Sequence, residues 1–246
     1  MRRTIDVDEL LDGPLDDPAT LTGNLRDLAR ANRWLGGSSL SWRAIDALVG
    51  EADPVSILDV GTGGADIPLA LIERAHAAGR QWRFTALDSR PEVLAAAAVA
   101  DRRLTATSEL TLHVGDGRSL PFPDGAFDVA HASLVVHHLD EDDAIRLLAE
   151  MRRVARLGVV VNDLLRGRLT WLGAWAWSHG FTRNPYTRND ATLSVARSYS
   201  RTELAELLGA AGLTMHAAFV GSFGHRWAVA ARPVTGPDAA PVTTPG

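Results

Sequence analysis

Three aspartates, each closing an apolar run, are the residues of this 246-residue chain best placed to do chemistry. Asp59 sits in Val55-Ser56-Ile57-Leu58-Asp59-Val60, which opens into the glycine turn Gly61-Thr62-Gly63-Gly64-Ala65. Asp88 ends Trp82-Arg83-Phe84-Thr85-Ala86-Leu87, and lies 27 residues after Gly61. Asp116 follows Leu112-His113-Val114-Gly115 and precedes Gly117. A strand, an acid and a glycine turn make a loop whose backbone can approach a ligand, because glycine brings no Cβ and tolerates positive φ. A carboxylate at Asp88 could hold both hydroxyls of a ribose, so the chemistry is that of an adenosine-type cofactor. A dinucleotide fits poorly: counted from Gly61, the Gly-x-Gly-x-x-Gly fingerprint has Asp66 at its sixth position, where a carboxylate would repel a pyrophosphate. Each acid alone reads equally well as a turn or cap residue. Three at successive strand ends are harder to dismiss.

Positioning these acids takes an alternating framework. The periodicity predicts strands at 55–60, 82–87, 111–114, 127–132 and 158–162, with helices at 66–79, 91–102 and 141–155 between them, hence a parallel sheet with crossover helices. Two amphipathic helices, Asn24 to Trp34 and Ser39 to Val49, precede the sheet and are separated by Gly36-Gly37. Residues 164–199 show no clear strand and are rich in Trp, Arg and Asn. Helical periodicity returns at Arg201, with Ser200 and Glu203 as a capping box. Strands near 213–220 and 225–231 close the chain. The expected organisation is a flexible acidic N-terminus over 1–23, a single domain over 24–232 with a helical cap at 24–50 and a lid insertion at 164–200, and a disordered Pro/Thr/Ala tail at 233–246.

Composition narrows the chemistry. With 46% hydrophobic residues the chain can bury a sizeable core, and a net charge of −5 offers no basic footprint for a nucleic acid. Cysteine is absent, which removes disulfides and thiolate chemistry, and lysine is absent, which removes Schiff bases. No apolar run is long enough to span a membrane, and the N-terminus lacks a signal-peptide pattern, so a cytoplasmic location is expected. His131, His137 and His138 have no metal-site spacing, and no metal is assigned.

The segments 55–66, 82–88, 112–117 and 127–139 together resemble the class I S-adenosylmethionine (SAM) methyltransferases. Residues 25–37 and Asn162-Asp163-Leu164 resemble bacterial methyltransferases associated with type III polyketide synthases, whose core is similar to that of the ubiquinone/menaquinone methyltransferases. Where many relatives have Lys-Pro-Gly-Gly before the fifth strand, this chain has Ala155-Arg156-Leu157-Gly158. The resemblance implies a Rossmann-like α/β fold: a seven-stranded, mostly parallel sheet with helices on both faces, an N-terminal helical cap and an insertion after strand 5. It implies SAM as cofactor, held by Asp59, Gly61, Thr62, Gly63, Asp88, Ser89, Asp116, Gly117 and Ser133. It places His137 and His138 between cofactor and acceptor, where either could act as general base; both also read as packing or helix-terminal histidines. Arg33, Trp34, Trp171, Trp175, Tyr186 and Tyr199 are the candidate acceptor-binding residues, although Trp171 and Trp175, at i and i+4, equally describe a buried helix face.

The implied reaction is O-methylation of a small, apolar phenolic or polyketide-type acceptor. C-methylation of a quinol-like ring and a non-catalytic SAM-binding partner in a biosynthetic complex stay open, as does a homodimer. A nucleic acid methyltransferase is disfavoured, since Ala132-Ser133-Leu134-Val135 stands where an Asn/Asp-Pro-Pro-Tyr/Phe tetrapeptide would be needed.

Overall fold

Side-chain caps start four of the helices among the described residues, those beginning at Pro18, Glu141, Pro185 and Arg201. In the computed structural model, which describes residues 1–5, 7, 9–13 and 17–234, helix α1 (Pro18–Trp34) begins behind Asp17, whose carboxylate accepts from Ala19 N at 2.9 Å. Proline suits that first position because its missing N–H would have no helical partner. Helix α1 therefore starts at Pro18 instead of Asn24. Residues 9–13, expected within a flexible segment, are docked: a 3-10 turn at Leu10–Asp12 donates the Leu10 and Leu11 N–H groups to Asp190 at 2.9 and 3.0 Å, and Glu9 is buried. Their partner lies about 180 residues away in sequence, so acidity that suggests solvation conceals a long-range contact. Helix α2 (Gly37–Val49) follows the glycine break. A Cβ on Gly37 would lie 2.7 Å from the Arg226 guanidinium and 2.8 Å from Asn32, so the close approach requires glycine.

The sheet contains β1 (Val55–Val60), β2 (Trp82–Asp88), β3 (Leu110–Val114), β4 (Phe127–Ser133), β5 (Ala155–Leu164), β6 (Leu213–Val220) and β7 (Arg226–Pro233) in the order β3-β2-β1-β4-β5-β7-β6. Strands β1 to β5 are mutually parallel where they pair, and β7 is antiparallel to both its neighbours. Crossovers run through α3 (Asp66–Ala77), α4 (Pro91–Ala100), the short α5 (Arg103–Ala106) and α6 (Glu141–Val154). Because successive strand residues face opposite ways, Ile57 enters a core with α2 and α3 while Leu58 enters a second core with α6, and both are fully buried.

After β5 the insertion is helical. Helix α7 (Arg168–Phe181) is followed by α8 (Pro185–Arg197), which starts at Asn184; that side chain accepts from Tyr186 N at 3.0 Å and Thr187 N at 3.3 Å. Helix α9 (Arg201–Ala210) has the full Ser200–Glu203 capping box. The tail expectation concerns, beyond Val234, residues outside those described.

Candidate active site

The strand order turns back between β1 and β4, so the helices after these two strands cross to opposite faces and leave a crevice at the C-terminal strand ends. The glycine turn fills one wall. A Cβ on Gly61 (φ +68°) would lie 2.5 Å from a Val135 methyl, whereas Gly63 (φ +54°) faces open space. Gly61 thus seals the loop against the β4 end, and Gly63 leaves room for a ligand. Non-glycine residues with positive φ cluster beside it, Ala65 at 50° and Leu134 at 59°, as strained backbone often does at binding sites.

Asp59 anchors this loop from behind. One carboxylate oxygen accepts from Thr62 Oγ1 at 2.6 Å and the other from His131 Nδ1 at 2.5 Å, across the Asp59–His131 pairing of β1 and β4. His131 Nε2 lies 2.7 Å from Ser41 Oγ, which accepts from Asn162 Nδ2 at 2.7 Å. Arg226 then donates to Asn162 Oδ1, Asn32 Oδ1 and Ser133 Oγ at 2.7, 2.6 and 2.5 Å, and Asn32 donates to Asp66 at 3.0 Å. Burial pulls the Arg226 guanidinium down to about 10 against the raising pull of Asp163 and Asp66. This buried chain ties the helical cap to the loop. His131, Ser41, Asn162 and Arg226 were missed as site-shaping residues; the available signal was polar side chains within otherwise apolar strands for His131, Asn162 and Arg226, and none for Ser41 on α2.

Asp88 ends β2 with both oxygens toward the loop, accepting from Gly63 N at 2.9 Å and Arg90 N at 3.0 Å. Its burial raises the carboxyl above the ordinary range, outweighing those two hydrogen bonds. Asp116 is exposed and paired with Arg118 at 2.8 Å, and that hydrogen bond holds its carboxyl below the ordinary range. Arg118 reaches on to Asp143 at 2.5 Å.

The two histidines occupy a 3-10 turn, Val136–His138, and differ in environment. His137 is sealed in, with Nδ1 donating to Asp163 at 2.7 Å and Nε2 3.6 Å from Glu9. His138 is partly open, with Nδ1 about 3.0 Å from Asp12 and Nε2 3.9 Å from Glu9. Burial, its largest influence, pushes the Glu9 carboxyl up to about 7 despite the His138 charge and a Ser194 hydrogen bond. Burial also pushes Asp12 upward, yet the His138 hydrogen bond with the His138 and Arg197 charges brings it below the ordinary range. Donor atoms of Glu9, His137 and His138 lie within 4.8 Å of one another, close enough to hold a cation. Glu9 and Asp12 escaped notice because nothing near them in sequence marks them.

A cavity of about 610 Å³ runs along these strand ends. Asp59, Gly61, Thr62, Gly63, Asp88, Ser89, Asp116, Gly117 and Ser133 all line it, as does His138. The aliphatic side chains of Leu11, Leu25, Leu28, Val135 and Leu139 line it too, as does Asp12. The aromatic candidates lie elsewhere. Arg33, Trp34, Trp171 and Trp175 are exposed, Tyr186 is half-buried on α8, and none of them lines the cavity. Tyr199 is a buried structural residue, donating its hydroxyl to Leu139 O at 2.9 Å beneath the Arg3 guanidinium. Their aromatic character marked packing and surface, and the cavity is lined instead by aliphatic side chains that bring no distinctive motif.

Residues 57–158 match the methyltransferase domain family. The demethylmenaquinone methyltransferase of Thermus thermophilus is 35% identical over 131 residues, covering 52% of this chain and 55% of that protein. The chain spans about half the length of the curated relatives it matches. Among solved structures, a SAM-dependent methyltransferase from Aquifex aeolicus superposes with a TM-score of 0.62 at 18% identity, covering 89% of this chain and 99% of that one. The O-methyltransferase NcsB1 from neocarzinostatin biosynthesis, in complex with S-adenosyl-L-homocysteine and 1,4-dihydroxy-2-naphthoic acid, gives 0.63 at 20% identity and covers 89% of this chain and 59% of its own. Residues 57–158 thus match a methyltransferase domain, and the glycine loop and strand order give the chain the fold of the SAM-dependent methyltransferase structures it resembles.

Proposed function

We propose that the chain methylates a small, apolar phenolic acceptor at oxygen, using SAM. The observation that supports this reading is one cavity lined both by carboxylates and a glycine loop and by aliphatic side chains, with a single partly open histidine among them. The residues present suit the cofactor. Open space at Gly63 admits a ligand at the loop. Asp88 has lone pairs left for ribose hydroxyls, and Asp116 at the rim can accept from the adenine amino group. SAM, when bound, supplies an electrophilic methyl group on a sulfonium.

The chain's own residues do the rest. Leu11, Leu25, Leu28, Val135 and Leu139 exclude water from the acceptor side and hold an apolar ring, and positioning of this kind is worth roughly 7 to 11 kcal/mol. Asp12 accepts from His138 Nδ1–H, which fixes the tautomer with the Nε2 lone pair free to take a hydroxyl proton. His137, enclosed by Asp163 and Glu9, has no route to an acceptor and orients the turn that carries His138. The two imidazole centroids lie 4.3 Å apart with their planes tilted by 32°. We read this cluster as handling a proton, not a metal.

Relatives named as C-methyltransferases of ubiquinone/menaquinone biosynthesis favour a second reading, in which the same histidine deprotonates a ring hydroxyl so that a ring carbon accepts the methyl. Label transfer from SAM across a panel of phenols and quinols, followed by fragmentation of the products, tests both. Methyl on oxygen supports the first reading and methyl on carbon the second. No transfer to any member would leave only binding.

A further inference from the structure

Helix α7 is turned inside out relative to an ordinary surface helix. Its inner stripe, Thr170, Ala174, Trp177 and Ser178, is the half-buried or buried one. Its outer stripe, Leu169, Leu172, Gly173 and Ala176, follows the i, i+3, i+4, i+7 spacing that normally faces a core, yet it is exposed, Leu169 by 86% and Leu172 by 53%. Trp175, 46% exposed, and Trp171 edge this stripe, and Phe181 ends the helix 63% exposed. An outward apolar face of this kind marks an interaction surface.

Charge identifies the partner. Residues 164–189 contain four arginines and no aspartate or glutamate, in a chain whose net charge is −5. Arg166 is occupied by Glu203 at 2.8 Å, while Arg168 and Arg183, at the two ends of α7, are exposed. Tryptophan and arginine favour the boundary between apolar chains and phosphates, where an indole is half wet and a guanidinium finds anionic oxygens. Two copies packed through this face would set arginine against arginine with no acid of the segment to pair them, since a two-fold interface brings like patches together. We propose that α7 docks the protein on an anionic phospholipid surface, lying in the interface with its outer stripe toward the acyl chains. No helix of the described residues is long and apolar enough to cross a membrane.

Co-sedimentation of the full chain with vesicles tests this, comparing phosphatidylcholine alone with phosphatidylcholine containing phosphatidylglycerol. We expect binding to the anionic vesicles that weakens at least about tenfold without phosphatidylglycerol or in high salt, together with a blue shift of tryptophan emission. The variant Leu169→Ser/Leu172→Ser/Trp175→Ser should lose vesicle binding while retaining SAM affinity, which shows that it folds. Arg168→Gln/Arg183→Gln should lose the preference for phosphatidylglycerol. Wild-type protein that ignores both vesicles, or a triple variant that binds them as well as wild type, would overturn the proposal. So would a concentration-dependent dimer in sedimentation velocity that the triple variant abolishes without any vesicle binding by wild type, since the covering surface would then be a second copy.

Discussion

The two sides of the cavity are built in opposite ways. The glycine-loop side is set by short-range contacts, Gly63 to Asp88, 25 residues away, and Thr62 to Asp59 within the same turn, with the buried His131–Asn162–Arg226 chain bracing it from behind. The acceptor side is assembled from afar: His138 meets Asp12 across 126 residues, and Asp190 holds Leu10 across 180. A site half local and half long-range can exchange one substrate for another by changing its distant half, while the cofactor half stays as it is.

Breaking the acceptor side at its chemistry should have the largest effect. His138→Ala is expected to lower kcat by about 10²- to 10⁴-fold, the usual worth of a general base, measured on whichever acceptor the label-transfer panel identifies. Addition of a chelator should leave wild-type kcat unchanged, since His138 Nε2 must be free to act. Asp12→Asn keeps the shape but weakens tautomer control, and we expect a loss of about tenfold in kcat with the acid limb of the pH profile shifted and KM for SAM unaltered.

Glu9 sharpens the comparison through pH. Its carboxyl in the folded chain is raised to about 7 from an ordinary 4.5. Docking of residues 9–13 is therefore strongest below the ordinary value and weakens as pH rises through about 7, where an ionised buried carboxylate opposes it by at most roughly 3 kcal/mol. Hydrogen exchange at Leu10 to Gly13 should quicken between pH 6 and 8 in wild type, and should stay level in Glu9→Gln apart from intrinsic chemistry. The smallest effect belongs to the exposed rim. Asp116→Ala removes the adenine contact proposed above and a solvent-screened ion pair with Arg118, so SAM affinity should fall only a few-fold by titration and thermal stability should hardly move.

This same division decided what could be read from the chain. The glycine turn, Asp88 and the alternation of strand and helix are local patterns, and the seven-stranded order follows from them together with the family resemblance. The acceptor side offered no such pattern. Aliphatic residues such as Leu11 and Leu28 do not differ in kind from core leucines, whereas Trp171, Trp175 and Tyr199 stand out by a size that here reflects surface and packing. The orientation of α7 was illegible for a related reason: apolar residues stand on both stripes, Ala174 and Trp177 inward and Leu169 and Leu172 outward, so the sequence does not say which stripe is buried. The start of α8 was legible and overlooked, because Asn184-Pro185 is a capping pair followed by a helix. Asp17-Pro18 announced α1 in the same way.

The most direct measurement of the division between the two sides is isothermal titration of SAM into wild type, Asp88→Ala and His138→Ala. Loss of hydrogen bonds to a buried carboxylate is worth about 1.5 to 3 kcal/mol, or about 10- to 150-fold in affinity. We expect wild type to bind, Asp88→Ala to weaken by that range, and His138→Ala to bind within about twofold of wild type. Failure of wild type to bind SAM, or an equal loss in both variants, would contradict a cavity whose cofactor side and acceptor side are separately built.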